Sequence, residues 1–250
     1  MIFTPLASSS HGNAYLLEDG ASRILIECGV PYRRLQKLLG FATSKLDGCL
    51  LSHEHKDHAR CHLDLLKNGV PVYASEGTAE ALECELLSRL PYTETEDGYQ
   101  ELAVGGFDVL PFSTFHDAAE PVGYLVRSRA DGEKLMFATD TVNLGYRFKG
   151  LNLVALECNY SEDILAHATH LPEKVVHRIQ NSHMEVGRAC AYLGRMERSG
   201  LRRIYLLHLS DACSNEGLFV DLVERVCPGI QVVACAKEQS TERRDQHAGA

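Results

Sequence analysis

The chain of 250 residues can bury a sizeable core without disulfides, and 45% hydrophobic with 24% charged residues is the balance of a globular protein. No apolar run approaches the roughly 18 residues of a membrane span, so a soluble protein with no membrane partner is expected. A net charge of −9 speaks against coating nucleic acid by bulk electrostatics. Bound divalent metals would reverse the local sign of a site built from acids and histidines, so a nucleic-acid enzyme stays open. The nine cysteines are odd in number and scattered without CxxC pairs, which predicts reduced, mostly buried thiols. The opening MIFTPLASSSHGN lacks the basic and apolar regions of a secretory signal, and a cytoplasmic location is expected.

In chain order, MIFTPLA, NAYLLE and SRILIEC read as short strands separated by SSSHG and DGA. A helix is predicted over Tyr32 to Leu39, then a buried strand in LDGCLLS, a short helix over 59–67 and a strand in PVYAS. Glu76 to Arg89 has apolar residues at helical spacing, with Ala79, Leu82, Leu86 and Leu87 on one face. Strands follow in YQELAV, FDVLPFS, VGYLVRS and EKLMFAT, the last two joined by a turn containing Asp131-Gly132. LNLVALEC is a buried strand, 161–179 and 184–198 are helical, RIYLLHLS is a strand, Glu216 to Val226 a helix and IQVVAC a final strand. One domain over 1–237 with a polar, disordered tail over 238–250 is expected, the strands being mostly antiparallel in two sheets with helices outside. Arg188, Arg195, Arg198, Arg202 and Arg203 gather late in the chain, and a solvated helix face is the plainer reading of them. A homo-oligomer is left open.

The stretch LLSHEHKDHA places His53, His55, Asp57 and His58 directly after an apolar strand. Imidazole nitrogen and carboxylate oxygen are the ligands that zinc and similar ions accept, and a strand end leading into a turn can aim several at one point. His53 and His55 share a face of an extended segment, whereas Asp57 and His58 can turn towards a neighbouring point, so one segment can serve two metals. The pattern is repeated in weaker form. His116 closes DVLPFSTFH, Asp140 closes KLMFATD and His208 closes RIYLLH, each a potential ligand directly after an apolar strand.

An HxHxDH segment followed by a strand-end His, Asp and His over most of the chain resembles the metallo-β-lactamase fold. The resemblance implies an α/β protein, an αββα sandwich with a dinuclear site at one edge. It implies one metal held by His53, His55 and His116, the other by Asp57, His58 and His208, with Asp140 bridging. The segments LASSSHGNAYLLE, RILIECG, HDAAEPVGY, LECNY, HLSD and NSHMEVGRACAYL are similar to the YycJ/WalJ-like group of single-stranded DNA exonucleases, with ribonuclease Z-like phosphodiesterases as cousins. In that family Asp usually stands where this chain has Glu27, and the Asp is thought to support the site from behind the ligands.

The function so implied is hydrolysis of single-stranded DNA from an end by two divalent ions, zinc or manganese with iron also acceptable to such ligands. The catalytic residues expected are Asp57, which also orients the attacking water, and His183, which supplies a proton to the leaving oxygen. A small cyclic phosphodiester is the alternative substrate, and a metal-binding scaffold without catalysis is the reading from another class. Ser9, Ser10 and Asn13 suit either a phosphate contact or a plain turn. Glu157 suits either support of the site or a structural role. Lys56 is expected to face water.

Overall fold

The computed structural model describes residues 1–93 and 98–235, so the tail predicted over 238–250 lies outside the described residues. The first half comprises β1 (Ile2–Ala7), β2 (Ala14–Glu18), β3 (Arg23–Ile26), α1 (Tyr32–Leu38), β4 (Gly48–Leu50), α2 (Lys56–Ala59), α3 (His62–Lys67), β5 (Val72–Ala74), α4 (Glu76–Ala81) and β6 (Ser88–Arg89). The second comprises β7 (Leu102–Val104), β8 (Phe107–Ser113), β9 (Val122–Ser128), β10 (Lys134–Ala138), β11 (Leu153–Glu157), α5 (Glu162–His167), α6 (Glu173–Ser182), α7 (Val186–Leu193), β12 (Arg203–Leu207), α8 (Glu216–Val226) and β13 (Gln231–Ala234). One sheet takes β1 to β6 in sequence order, and the other runs β13-β12-β11-β10-β9-β8-β7.

Strand alternation builds the layers. In β3, Ile24 and Ile26 enter the core between the sheets while Leu25 faces outward under α1 and α3. In β12, Tyr205 and Leu207 point inward, whereas Ile204 and Leu206 meet Val186, Ala189 and Phe219 of α7 and α8. Both faces being covered, such strands read as unbroken apolar runs, ILI and IYLL. Phe3 bridges the inter-sheet core, stacking on Tyr15 at 5.6 Å and meeting the edge of Tyr205 at 4.8 Å. The result is the expected αββα sandwich.

The strand directions differ from expectation. Six neighbouring pairs are parallel and five antiparallel among the described residues. Helices α1 to α4 carry the chain back between β3, β4, β5 and β6, and such crossovers make neighbours parallel. The helix predicted over Glu76 to Arg89 stops at Ala81; Glu83 turns the chain with φ 49°, and Ser88–Arg89 pairs with β5. Leu86, expected on an apolar face, is 73% exposed. The stretch 161–179 is divided by Pro172, which precedes the first residue of α6.

These directions position the site. β1, β3 and β4 run the same way in one sheet, and β8, β10, β11 and β12 run the same way in the other. Their carboxyl ends therefore gather at one edge of the sandwich, where the His208 N–H donates to Ser8 Oγ at 2.9 Å and the Val122 N–H to the Ser52 carbonyl at 2.9 Å. No helix among the described residues is long and apolar enough to cross a membrane.

Candidate metal centre

All seven predicted ligands come to this edge, His53, His55, His116, Asp140 and His208 on segments that follow strands and Asp57 and His58 on α2. Among the described residues, five non-glycine positions have positive φ, and three of them are here: Glu27 (65°), Asp140 (42°) and His208 (52°). A left-handed residue turns the chain sharply out of its strand, a strain that concentrates where a side chain must be aimed.

His53, His55 and His116 form one group. His53 Nε2 lies 3.1 Å and His116 Nε2 3.2 Å from His55 Nδ1. The opposite nitrogens are already engaged: His53 Nδ1 is 2.8 Å from Ser52 Oγ, and His116 Nδ1 donates to the Ser182 carbonyl at 2.7 Å. A donating Nδ1–H fixes the tautomer and leaves Nε2 of His116 as a bare lone pair, the arrangement of a ligand histidine. Zinc–nitrogen bonds of about 2.0–2.1 Å in a tetrahedron set ligand nitrogens about 3.3 Å apart, close to the spacings seen.

Asp57, His58 and His208 form the second group with Asp140. His58 Nε2 is 3.4 Å from Asp57 Oδ2 and 3.5 Å from Asp140 Oδ2; His208 Nε2 is 3.5 Å from Asp57 Oδ2. His208 Nε2 is buried and has no hydrogen-bond partner, an orphan that a metal would satisfy. Asp140 Oδ2 lies within 4.0 Å of ring nitrogens of His53, His58, His116 and His183. It approaches both groups, and the clustered histidines and carboxylates are a donor set that fits divalent metal binding.

The charges follow from these neighbours. Burial opposes ionisation of Asp140, but His208 and His58 outweigh it and hold the carboxyl well below its usual range. Burial likewise disfavours a charged His208, yet Asp140 and Asp57 push its pKa up to about 10. His53 goes the other way, kept neutral by burial and by His58.

His183 sits at the mouth, its side chain 13% exposed and its ring 5.3 Å from those of His116 and His208. Its Nδ1 is 2.6 Å from Glu157 Oε1, a hydrogen-bond distance that commits this nitrogen to the carboxylate rather than to a metal. Burial opposes a charge on His183, but Glu157 raises its pKa above the ordinary value. Glu157 is fully buried at the end of β11, where Oε2 accepts the N–H groups of Thr141 (2.7 Å) and Met184 (3.0 Å). One carboxylate thus ties the segment of Asp140 to that of His183.

Asn13 is not available to phosphate. It is buried, its Nδ2 donates to the Asp57 carbonyl at 3.2 Å and lies 3.2 Å from His58 Nε2, and its Oδ1 accepts from Tyr15 Oη at 3.1 Å. It braces the HxHxDH turn. Lys56 is exposed, as expected. Glu27 stands behind His58, its Oε1 accepting the Ser52 N–H at 3.1 Å and its Oε2 3.5 Å from His58 Nδ1. Asn159 escapes the sequence reading: its Nδ2 donates to the His208 carbonyl at 2.7 Å. Its position two residues past an apolar strand is the one signal that marks it.

The Asp57–His58 turn lies so close to Gly29 that a Cβ there would be 1.6 Å from the Asp57 carbonyl oxygen. Gly29→Ala is expected to destabilise the fold by at least about 3 kcal/mol and to displace the second ligand group. Thermal unfolding and metal content measured together check this; a variant with normal melting and full metal would show that the turn can yield.

The β-lactamase superfamily domain matches residues 22–209. The chain is 30% identical over 225 residues to exodeoxyribonuclease YycJ of Bacillus anthracis, covering 83% of this chain and 82% of that protein. It is 28% identical over 222 residues to exodeoxyribonuclease WalJ of Streptococcus pneumoniae, covering 83% and 81%. Among solved structures, the metallo-β-lactamase fold protein YhfI of Bacillus subtilis matches with a TM-score of 0.70 at 18% identity, covering 95% of this chain and 97% of that one. Human tRNase Z, short form, matches at 0.63 and 16%, covering 95% and 97%. The two structural matches show a shared fold, and with the identity running along most of the sequence, the chain belongs to the β-lactamase superfamily, in the YycJ exodeoxyribonuclease family of hydrolases.

Proposed function

We propose that this chain is a two-metal phosphodiesterase that shortens single-stranded DNA from an end. The observation that carries the reading is Asp140 Oδ2, set within 4.0 Å of nitrogens from both ligand groups and from His183. His53, His55 and His116 would hold one divalent ion, Asp57, His58 and His208 the other, and Asp140 both. Two such ions, when bound, lower the pKa of an attacking water and offset the charge of a phosphodiester. Zinc, manganese and iron all suit histidine and carboxylate ligands. His183, its Nδ1 occupied by Glu157, keeps Nε2 for the leaving oxygen and supplies its proton. Asp57, on the same turn as His58, orients the attacking water. The names of the two exodeoxyribonuclease relatives support DNA as substrate. Nine free cysteines, eight of them buried, support a reducing compartment, the cytoplasm.

The test strips the protein with chelator, reloads it with manganese or zinc and incubates it with end-labelled single-stranded DNA. Metal-dependent shortening from one end is expected. Intact DNA together with hydrolysis of a cyclic mononucleotide would replace the nuclease reading by a small-molecule phosphodiesterase.

A further inference from the structure

The late arginines divide into two kinds. Arg198 Nη1 donates to the Val226 carbonyl at 2.8 Å, Arg202 pairs with Glu133 at 2.8 Å and Arg203 Nε donates to Gln231 at 2.8 Å, so these three hold the fold together. Arg188 and Arg195 are exposed, and neither guanidinium has an acidic partner among the described residues. With Arg147, equally exposed and likewise without an acidic partner among the described residues, they line a cavity of ≈ 350 Å³ that also includes Asn143 and Tyr192. Three such cations around one cavity stand out in a chain of net charge −9.

Both walls of this cavity start at the metal centre. Asn143 lies three residues after Asp140, at most about 11 Å of chain away. Helix α7 begins three residues after His183. The walls are cross-braced, because Tyr192 Oη donates to the Tyr146 carbonyl at 2.9 Å. Arg188 lies on α7 and Arg195 two residues past its end, so both stand along the same wall of the cavity.

Aromatic rings flank the same loop. Phe115 is 57% exposed, its N–H donating to Thr141 Oγ1 at 3.0 Å and its carbonyl accepting the Val142 N–H at 2.9 Å. Tyr146, next to Arg147, is 44% exposed. Exposed rings beside a basic groove stack bases that have no partner strand, whereas duplex bases are already stacked on one another.

Resting on the nuclease reading above, we propose that this cavity is the track for the single strand: Arg147, Arg188 and Arg195 hold successive phosphates leading to the metal centre, while Phe115 and Tyr146 take unpaired bases. A small cyclic diester would need none of these residues.

The test titrates metal-loaded protein with fluorescein-labelled single-stranded DNA carrying cleavage-resistant phosphorothioate linkages, at several salt concentrations. Arg188→Gln with Arg195→Gln is expected to weaken binding at least tenfold. It should also reduce the slope of log affinity against log salt by about 0.7 for each phosphate no longer neutralised. The corresponding pair of lysine substitutions should restore most of the affinity, and Arg225→Gln, an exposed position on α8, should change little. Unaltered affinity and slope in the glutamine pair, with the wild-type protein still shortening single strands, would overturn the track and leave the nuclease reading standing. Duplex bound as tightly as single strand by the wild type would overturn the single-strand assignment. A wild type that neither binds nor shortens single strands would remove the nuclease reading, and the track with it.

Discussion

Replacing Asp140 by asparagine is expected to strip the centre of metal and lower DNA hydrolysis by at least about a thousandfold, more than the ten- to hundredfold typical of losing a residue behind the ligands. The carboxylate is 3% exposed; its Oδ1 lies 3.2 Å from His208 Nδ1, and its Oδ2 is shared among four other histidines. Among the described carboxylates near the centre, its Oδ2 is the oxygen within 4.0 Å of ring nitrogens from both ligand groups. Asparagine is the cleaner substitution because Asp140 has φ 42°, a conformation asparagine tolerates and alanine resists. Asp140→Ala combines the missing ligand with backbone strain, so it is expected to lower the melting temperature as well. Metal content per chain and end-labelled DNA cleavage are the readouts. Two ions retained at full activity in the asparagine variant would show that Asp140 is not shared between them.

The candidate ligands His53, His116, Asp140 and His208 are legible in the sequence because each follows an apolar run close to where a strand must end. That signal is carried by immediate neighbours in the chain, as in TFH, TD and LLH, and survives without knowing which strand lies beside which. Strand direction has no such local mark. Gly48–Leu50 and Val72–Ala74 are three residues each, and a strand of that length looks the same whichever way its neighbour runs. The helix expected to reach Arg89 stops short for a similar reason: Leu82, Leu86 and Leu87 keep helical spacing, but Leu86 faces solvent and Arg89 Nη1 donates to the Leu87 carbonyl at 2.9 Å to hold a turn. Residues behind the ligands are harder still. A glutamate ending LVALE and an asparagine two residues later have the same composition whether they brace a histidine or cap a strand. Only the fold brings Glu157 to His183 and Asn159 to His208.

Glu157 and His183 should behave as one unit, and this separates a positioning role from mere structure. His183→Ala removes a side chain outside both proposed ligand sets, so metal content is expected to stay at two ions while turnover falls by about a hundredfold to ten-thousandfold, the range of a missing proton donor. Glu157→Gln keeps an oxygen for the Thr141 and Met184 N–H groups but gives up the charge held against His183. Its fold should therefore survive, with turnover reduced by about ten- to a hundredfold. Combining the two should cost no more than His183→Ala alone, because Glu157 would then have no imidazole to orient. Glu157→Ala is a different experiment. It leaves two backbone N–H groups unpaired in the interior, at about 1–3 kcal/mol each, and should lower the melting temperature whether or not His183 is present. Multiplicative losses in the Glu157→Gln/His183→Ala double variant would mean that Glu157 acts on the centre by some route other than His183. Its 3.4 Å approach to His208 Nδ1 is then the contact to pursue.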